Sequence, residues 1–218
     1  MKDLLTKSGK LLAGITAAGL AMATLGLVHS PARAAPDQTG LKGMVVAYPW
    51  SFHGGTPTSR KTAIATAAEI GRKANYASIP GDVARHTWRS SDLPRASFGR
   101  MPSKASLEAF GKSVHATTVL YGSVSWNTRS IWVNLGPKTI STATANVFVF
   151  DVQSNKVIYK KLGVEGRSDE TSNGWKVAAD VLVTPLVTAV SGGPATPHEQ
   201  RAVQIALGKA YHAWVRGN

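Results

Sequence analysis

The stretch VFVFDVQSNKVIYK (Val147–Lys160) places an acid, a serine and a lysine within six positions, at Asp151, Ser154 and Lys156. Those are the residue types of a general base, a nucleophile and an activating cation. They are also the types that a tight turn demands. Asp and Ser side chains accept local backbone N–H groups, and Asn155 tolerates a positive φ. Val147–Phe150 and Val157–Tyr159, on either side, are runs of strand-forming residues. The six central residues therefore read as a hairpin corner, with Lys156 exposed at the start of the second strand.

Other reactive combinations are incomplete. AFGKS (Ala109–Ser113) ends like a phosphate-binding loop, but Ser106 stands where that loop needs its first glycine, and the segment lies within a helical pattern. GSVSW (Gly122–Trp126) has Trp126 where the nucleophile elbow of a hydrolase needs glycine, and Ser123 and Ser125 share one face of a strand. The serine, lysine and glycine motifs of penicillin-recognising enzymes are absent. Beyond the leader, His53, His86, His115, His198 and His212 include no pair three or four apart, so no zinc-binding helix motif is present. Asp169-Glu170 reads as a solvated turn, Asp82 and Asp180 fit helix positions, and no carboxylate pair suggests a glycosidase. One basic stretch remains, RHTWRSSDLPRASFGR (Arg85–Arg100). Arg85, His86, Trp88, Arg89, Arg95 and Arg100 form a candidate anion-binding set, because interleaved aromatic and basic groups can stack on and pair with glycans or nucleic acids. The competing reading is a solvated loop that tucks Trp88 and Phe98 into the core.

The elements that would position these groups follow from pattern. GMVVAYPW (Gly43–Trp50) reads as a first strand ended by Pro49, and SFHGGTPTS as a loop. A helix from about Arg60, capped by Thr58 or Ser59, sets Ile64, Ala67, Ala68, Ile70 and Ala74 on one apolar face. Tyr76–Pro80 is a short strand, and Gly81–Asp92 a short helix with Asp82 near its start. Leu93–Pro102 is irregular. A helix opened by Ser103 or Lys104 carries Leu107, Phe110 and Val114. Thr117–Trp126 and Ser130–Leu135 are strands, with a turn at Gly136-Pro137, and the next two strands are Thr139–Val152 and Lys156–Gly166. Trp175–Val190 is helical, interrupted by Pro185. Ser191–Pro197 is a linker, and Glu199–Val215 a last helix with Val203, Ala206, Leu207, Ala210 and Trp214 on one face. Early strand–helix alternation favours parallel pairing and the later hairpins antiparallel pairing. The expected fold is α/β (α+β), a single domain with a mixed sheet of about five strands packed by helices.

The first residues point to export. Lys2, Lys7 and Lys10 precede an uncharged run, Leu11–Val28, and Ala32-Arg33-Ala34 fits a cleavage pattern. Residues 1–34 read as a signal peptide, residues 35–42 as a linker, and residues 43–218 as the domain. Retention of the apolar run as an anchor is the alternative. Segment 1–34 carries four basic residues and Asp3, a net +3, so the remainder keeps +10 of the chain's +13. A surface of that sign attracts polyanions, or serves only solubility. With no cysteine there are no disulfides, thiolate metal sites or lipid-bearing cysteine.

The order of elements resembles the α/β domain of the CsgG family and the amino-terminal domain of TolB-like proteins. Three stretches carry the likeness: AYPW (Ala47–Trp50) leading to a loop and a long helix, LEAFGKSVHATTVLYGSV (Leu107–Val124), and the hairpin VFVFDVQSNKVIYK. The resemblance implies a non-enzymatic envelope protein acting through assembly or protein contacts. The chain departs from pore-forming members in lacking a cysteine and a pair of long amphipathic segments, which directs the expectation to a soluble accessory role.

The expected function is thus binding, in the periplasm or outside the cell. The partner would be an envelope protein or an anionic envelope polymer, with nucleic acid ranked below them. No cofactor is implied, and no transmembrane segment after cleavage. A polyanion-binding protein using the basic surface is the second reading, and a secreted hydrolase with dispersed residues the third.

Overall fold

The computed structural model describes residues 40–91, 93, 100–133, 136–170 and 195–217. The leader-like segment 1–34 and the helix expected over Trp175–Val190 lie outside the described residues. Gln38–Asn218 forms one compact unit. In chain order the described elements are β1 (Met44–Val46), β2 (Trp50–His53), α1 (Pro57–Lys73), β3 (Ala77–Ser78), α2 (Gly81–Ser90), α3 (Lys104–Ser113), β4 (Thr118–Val133), β5 (Gly136–Asp151), β6 (Lys156–Arg167) and α4 (Thr196–Gly217). They build a mixed sheet in the order β3-β1-β4-β5-β6, with β2 also on β4. The strands before β4 pair in parallel, while β4–β5 and β5–β6 are antiparallel. The expected mixed sheet is present, with six strands rather than five.

The sixth strand comes from the segment expected to be a loop. Pro49 has no N–H to give to a ladder, so pairing with β4 lapses after Val46. It resumes with Trp50 opposite Gly122 and continues to His53 opposite Ser125. Trp50 is buried and Phe52 packs beside it on the same face, an alternation masked in sequence by the flanking proline and glycines. Helix α1 likewise starts earlier than Arg60. Pro57 suits a first helical position, and Thr56, not Thr58 or Ser59, is the cap, accepting from the Ser59 N–H at 3.2 Å. Ser103 caps α3 as expected, accepting from Ser106 N–H at 3.1 Å.

Strand β4 runs unbroken through Asn127–Arg129, where two strands were expected, because each of these residues pairs with β5. Gly136-Pro137 opens β5 instead of forming the turn, with Pro137 opposite Trp132. Proline is tolerated at the first positions of a strand. The last helix begins at Thr196, inside the expected linker, with Pro197 in its first turn. The hairpin corner is as read: Asp151 Oδ1 accepts from Ser154 N–H at 2.6 Å, Asn155 has φ 53°, and Lys156 is exposed.

Alternation along β4 and β5 feeds two cores. Leu120, Val124, Trp126, Ala145, Val147 and Val149 face α1 and α4. Val119, Tyr121, Phe148 and Phe150 face α2 and α3. The first half of β4 is buried at every position from Thr118 to Val124, as a strand covered on both faces must be. Its far half, Asn127–Val133, extends beyond the last residue paired with β2.

Candidate functional site

The basic stretch is divided by helix geometry. In α2, Ala84 and Trp88 lie four apart and are buried, at 1% and 3% exposure. Trp88 packs edge-on against Phe110 with ring centroids 4.9 Å apart, and against Tyr48 at 5.9 Å. It is therefore a core residue and presents no stacking platform. Arg85, His86 and Arg89 line the other side with Asp82 and Ser90, around an open cleft of about 280 Å³. The Tyr48 phenol is half-buried beside them. Burial pushes its pKa up, against the charges of Arg89 and Arg85. Arg100 is exposed, and Arg95 and Phe98 lie outside the described residues. The structure thus brings Arg85, His86 and Arg89 together and removes Trp88 from the set. The cleft offers cations and one carboxylate.

A second polar assembly escaped the sequence reading. Glu199, 6% exposed, lies near the start of α4. Its Oε2 accepts from the Thr56 N–H and the Ser59 hydroxyl, each at 2.8 Å. Thr56 also accepts from Thr196 at 3.4 Å, and Thr128 shares a hydrogen bond with Ser141 at 2.7 Å. Helices α1 and α4 run in parallel, since Thr56 meets Thr196 at one end and Tyr76 stacks on Trp214 at the other. The carboxyl group therefore sits where two positive helix ends converge. The motif Thr196-Pro197-His198-Glu199 has the spacing of a capping box, but the carboxylate is spent on the neighbouring helix.

The remaining motifs have structural roles. Gly111 of AFGKS lies against Val152, so the segment is a helix-to-turn contact. Ser123 is buried and accepts from Asn146 Nδ2 at 3.1 Å. His115 takes φ 55° just past α3, a helix-ending conformation. Glu170 binds Lys209 at 2.5 Å, and Asp169 pairs with Arg167 at 3.0 Å. No group of three His, Asp or Glu among the described residues could hold a metal. No helix among them is long and apolar enough to cross a membrane.

The far half of β4 and the start of β5 form a two-stranded ribbon. Near its end Trp132 is 84% exposed and Val133 44%. Arg129 and Lys138 beside them are exposed. In sequence, Trp132 is only one aromatic in a strand-like run. It lies well past Ser125, the last residue of β4 paired with β2.

No protein-family profile and no curated protein matches the chain. Among solved structures it is similar to the lipoprotein GNA1162 of Neisseria meningitidis, at 17% identity over 61% of this chain and 88% of that one, with a TM-score of 0.41. It is also similar to the hypothetical protein CT253 of Chlamydia trachomatis, at 17% identity over 81% and 100%, TM-score 0.38. A third is LpoB of Escherichia coli, at 13% identity over 77% and 90%, TM-score 0.38. These likenesses assign no role to any residue.

Proposed function

We propose that the chain is an exported, non-enzymatic protein of the cell envelope that acts by binding an envelope component. The observation that carries this reading is how the polar groups are used. Glu199, Ser59, Ser123 and Ser141 are buried and committed to hydrogen bonds that join elements. The surface presents cations around α2 and an exposed aromatic on the β4–β5 ribbon. The leader-like segment before Ala35 and the sequence resemblance to the CsgG and TolB amino-terminal domains point the same way.

The test is capture of partners from an envelope extract by the chain lacking residues 1–34, at low and high salt. A defined partner held at both salts supports a specific docking surface. Turnover in an ester, peptide and glycoside screen would overturn the reading.

Polyanion binding is a second reading, favoured by the grouping of Arg85, His86 and Arg89 around one cleft. It predicts retention on heparin that falls steeply with salt, because neutralised anionic sites release counterions. Retention unchanged in an Arg85→Glu, Arg89→Glu double variant would place the interaction elsewhere.

A further inference from the structure

We infer that the end of the β4–β5 ribbon is a docking element for an anionic lipid bilayer, with Trp132 and Val133 entering the headgroup region from opposite faces of the ribbon and Arg129 and Lys138 behind them on the Val133 face. The inference deepens the envelope reading and rests on it only for the place where a bilayer would be met.

Four observations converge. Trp132 is 84% exposed and Val133 44%, two apolar side chains held in water on opposite faces of a folded strand. Trp132 and Val133 occupy the last two positions of β4, opposite Pro137 and Gly136. Among the described residues, β2 leaves the ladder at Ser125 and β6 at Thr142, so the ribbon reaches past the rest of the sheet. Six residues from Thr128 to Val133 span roughly 20 Å at the rise of a strand. Finally, no acidic residue occurs from Thr118 to Phe150, while Arg129 and Lys138 do. Asp169 feels the charge of Lys138, and its carboxyl is engaged by Arg167.

A bilayer fits these features better than a protein does. A stable protein interface covers about 800 Å² on each partner, whereas the exposed large apolar groups here are two side chains. Indole rings favour the membrane–water interface, and cations beside them gain from anionic headgroups. Neither effect requires a shaped pocket.

The chain has no cysteine, so Val133→Cys creates a unique labelling site. The experiment uses the chain lacking residues 1–34, which retains the compact unit Gln38–Asn218, with thermal melting as the check that each variant folds. An environment-sensitive dye at position 133 should shift to the blue on vesicles of phosphatidylcholine mixed with phosphatidylglycerol, and not on phosphatidylcholine alone. A Ser154→Cys label at the β5–β6 corner should not shift. In co-sedimentation, Arg129→Gln and Lys138→Gln should each weaken partitioning about fivefold, and Trp132→Ala about tenfold.

Equal shifts at both labels, or no shift at either, would overturn the inference. So would binding lost by reversing Arg85 and Arg89 and retained without Trp132. A position-133 shift with soluble heparin equal to that with vesicles would replace the bilayer by a free polyanion, and a shift only with a captured protein would replace it by that protein. Failure of this inference leaves the extract experiment to decide the wider reading independently.

Discussion

Tyr211 shows how much one atom can weigh. Its side chain is 0% exposed, and its hydroxyl has no hydrogen-bond partner among the described residues. Burial pushes its pKa well above the ordinary tyrosine value. Tyr211→Phe should therefore leave stability unchanged or raise it by about 1 kcal/mol, since an unsatisfied buried hydroxyl is removed. Urea denaturation checks this, and a loss of similar size would reveal a partner for the hydroxyl. The pH dependence has a definite sign. The neutral phenol is favoured in the folded state, so its contribution is complete below pH 10 and is lost as pH rises through the folded value. The variant should lose less stability than the parent on going to alkaline pH. At this scale the sequence was legible where chemistry is local. Asp151, Ser154 and Asn155 form the turn their types demand. Glu199 was not legible, because its acceptor role joins groups 140 residues apart.

At the scale of elements, Glu199 ties α4 to the start of α1. Glu199→Ala removes an acceptor from the Thr56 N–H and the Ser59 hydroxyl, and should cost about 2–4 kcal/mol. Glu199→Gln keeps an acceptor of the same size and should cost about half as much. Equal losses for the two would show that volume, not hydrogen bonding, is what matters there. Helix α4 is also held close to β6 at Gly166, where a Cβ would meet the backbone of Ala202 and Ala206. Gly166→Ala should destabilise by roughly 2–4 kcal/mol, because neither backbone can yield cheaply. Matched thermal melts of these variants check the predictions. Helix faces were readable from spacing: Ala67, Ile70, Val203, Ala206, Leu207 and Ala210 are all buried. Element boundaries at prolines were not. Pro57 and Pro197 start helices, Pro137 starts a strand, and Pro49 only interrupts one.

At the scale of the molecule, the fold class was legible because hairpins and amphipathic helices each announce a layer. The candidate site was legible only as charge. Composition gives a basic surface, but helix α2 decides that Trp88 faces inward while Arg85 and Arg89 face out. The ribbon could not be read in advance, since exposure at Trp132 depends on where β2 and β6 stop.

The sheet's connectivity also sets an order of assembly. Strands β4, β5 and β6 are sequential neighbours joined by short links, whereas β1 and β2 pair with β4 across about seventy residues. Contacts between near neighbours in sequence form faster than distant ones, because closing a long loop costs more entropy. A chain emerging amino end first would thus hold its opening strands unpaired until the central meander exists to receive them. Pulsed hydrogen exchange during refolding should show β4–β6 amides protected before those of β1 and β3, and simultaneous protection would contradict that sequence of events. A late-closing amino-terminal half leaves a window in which the polypeptide stays open, and that delay is written into the strand order rather than into any single residue.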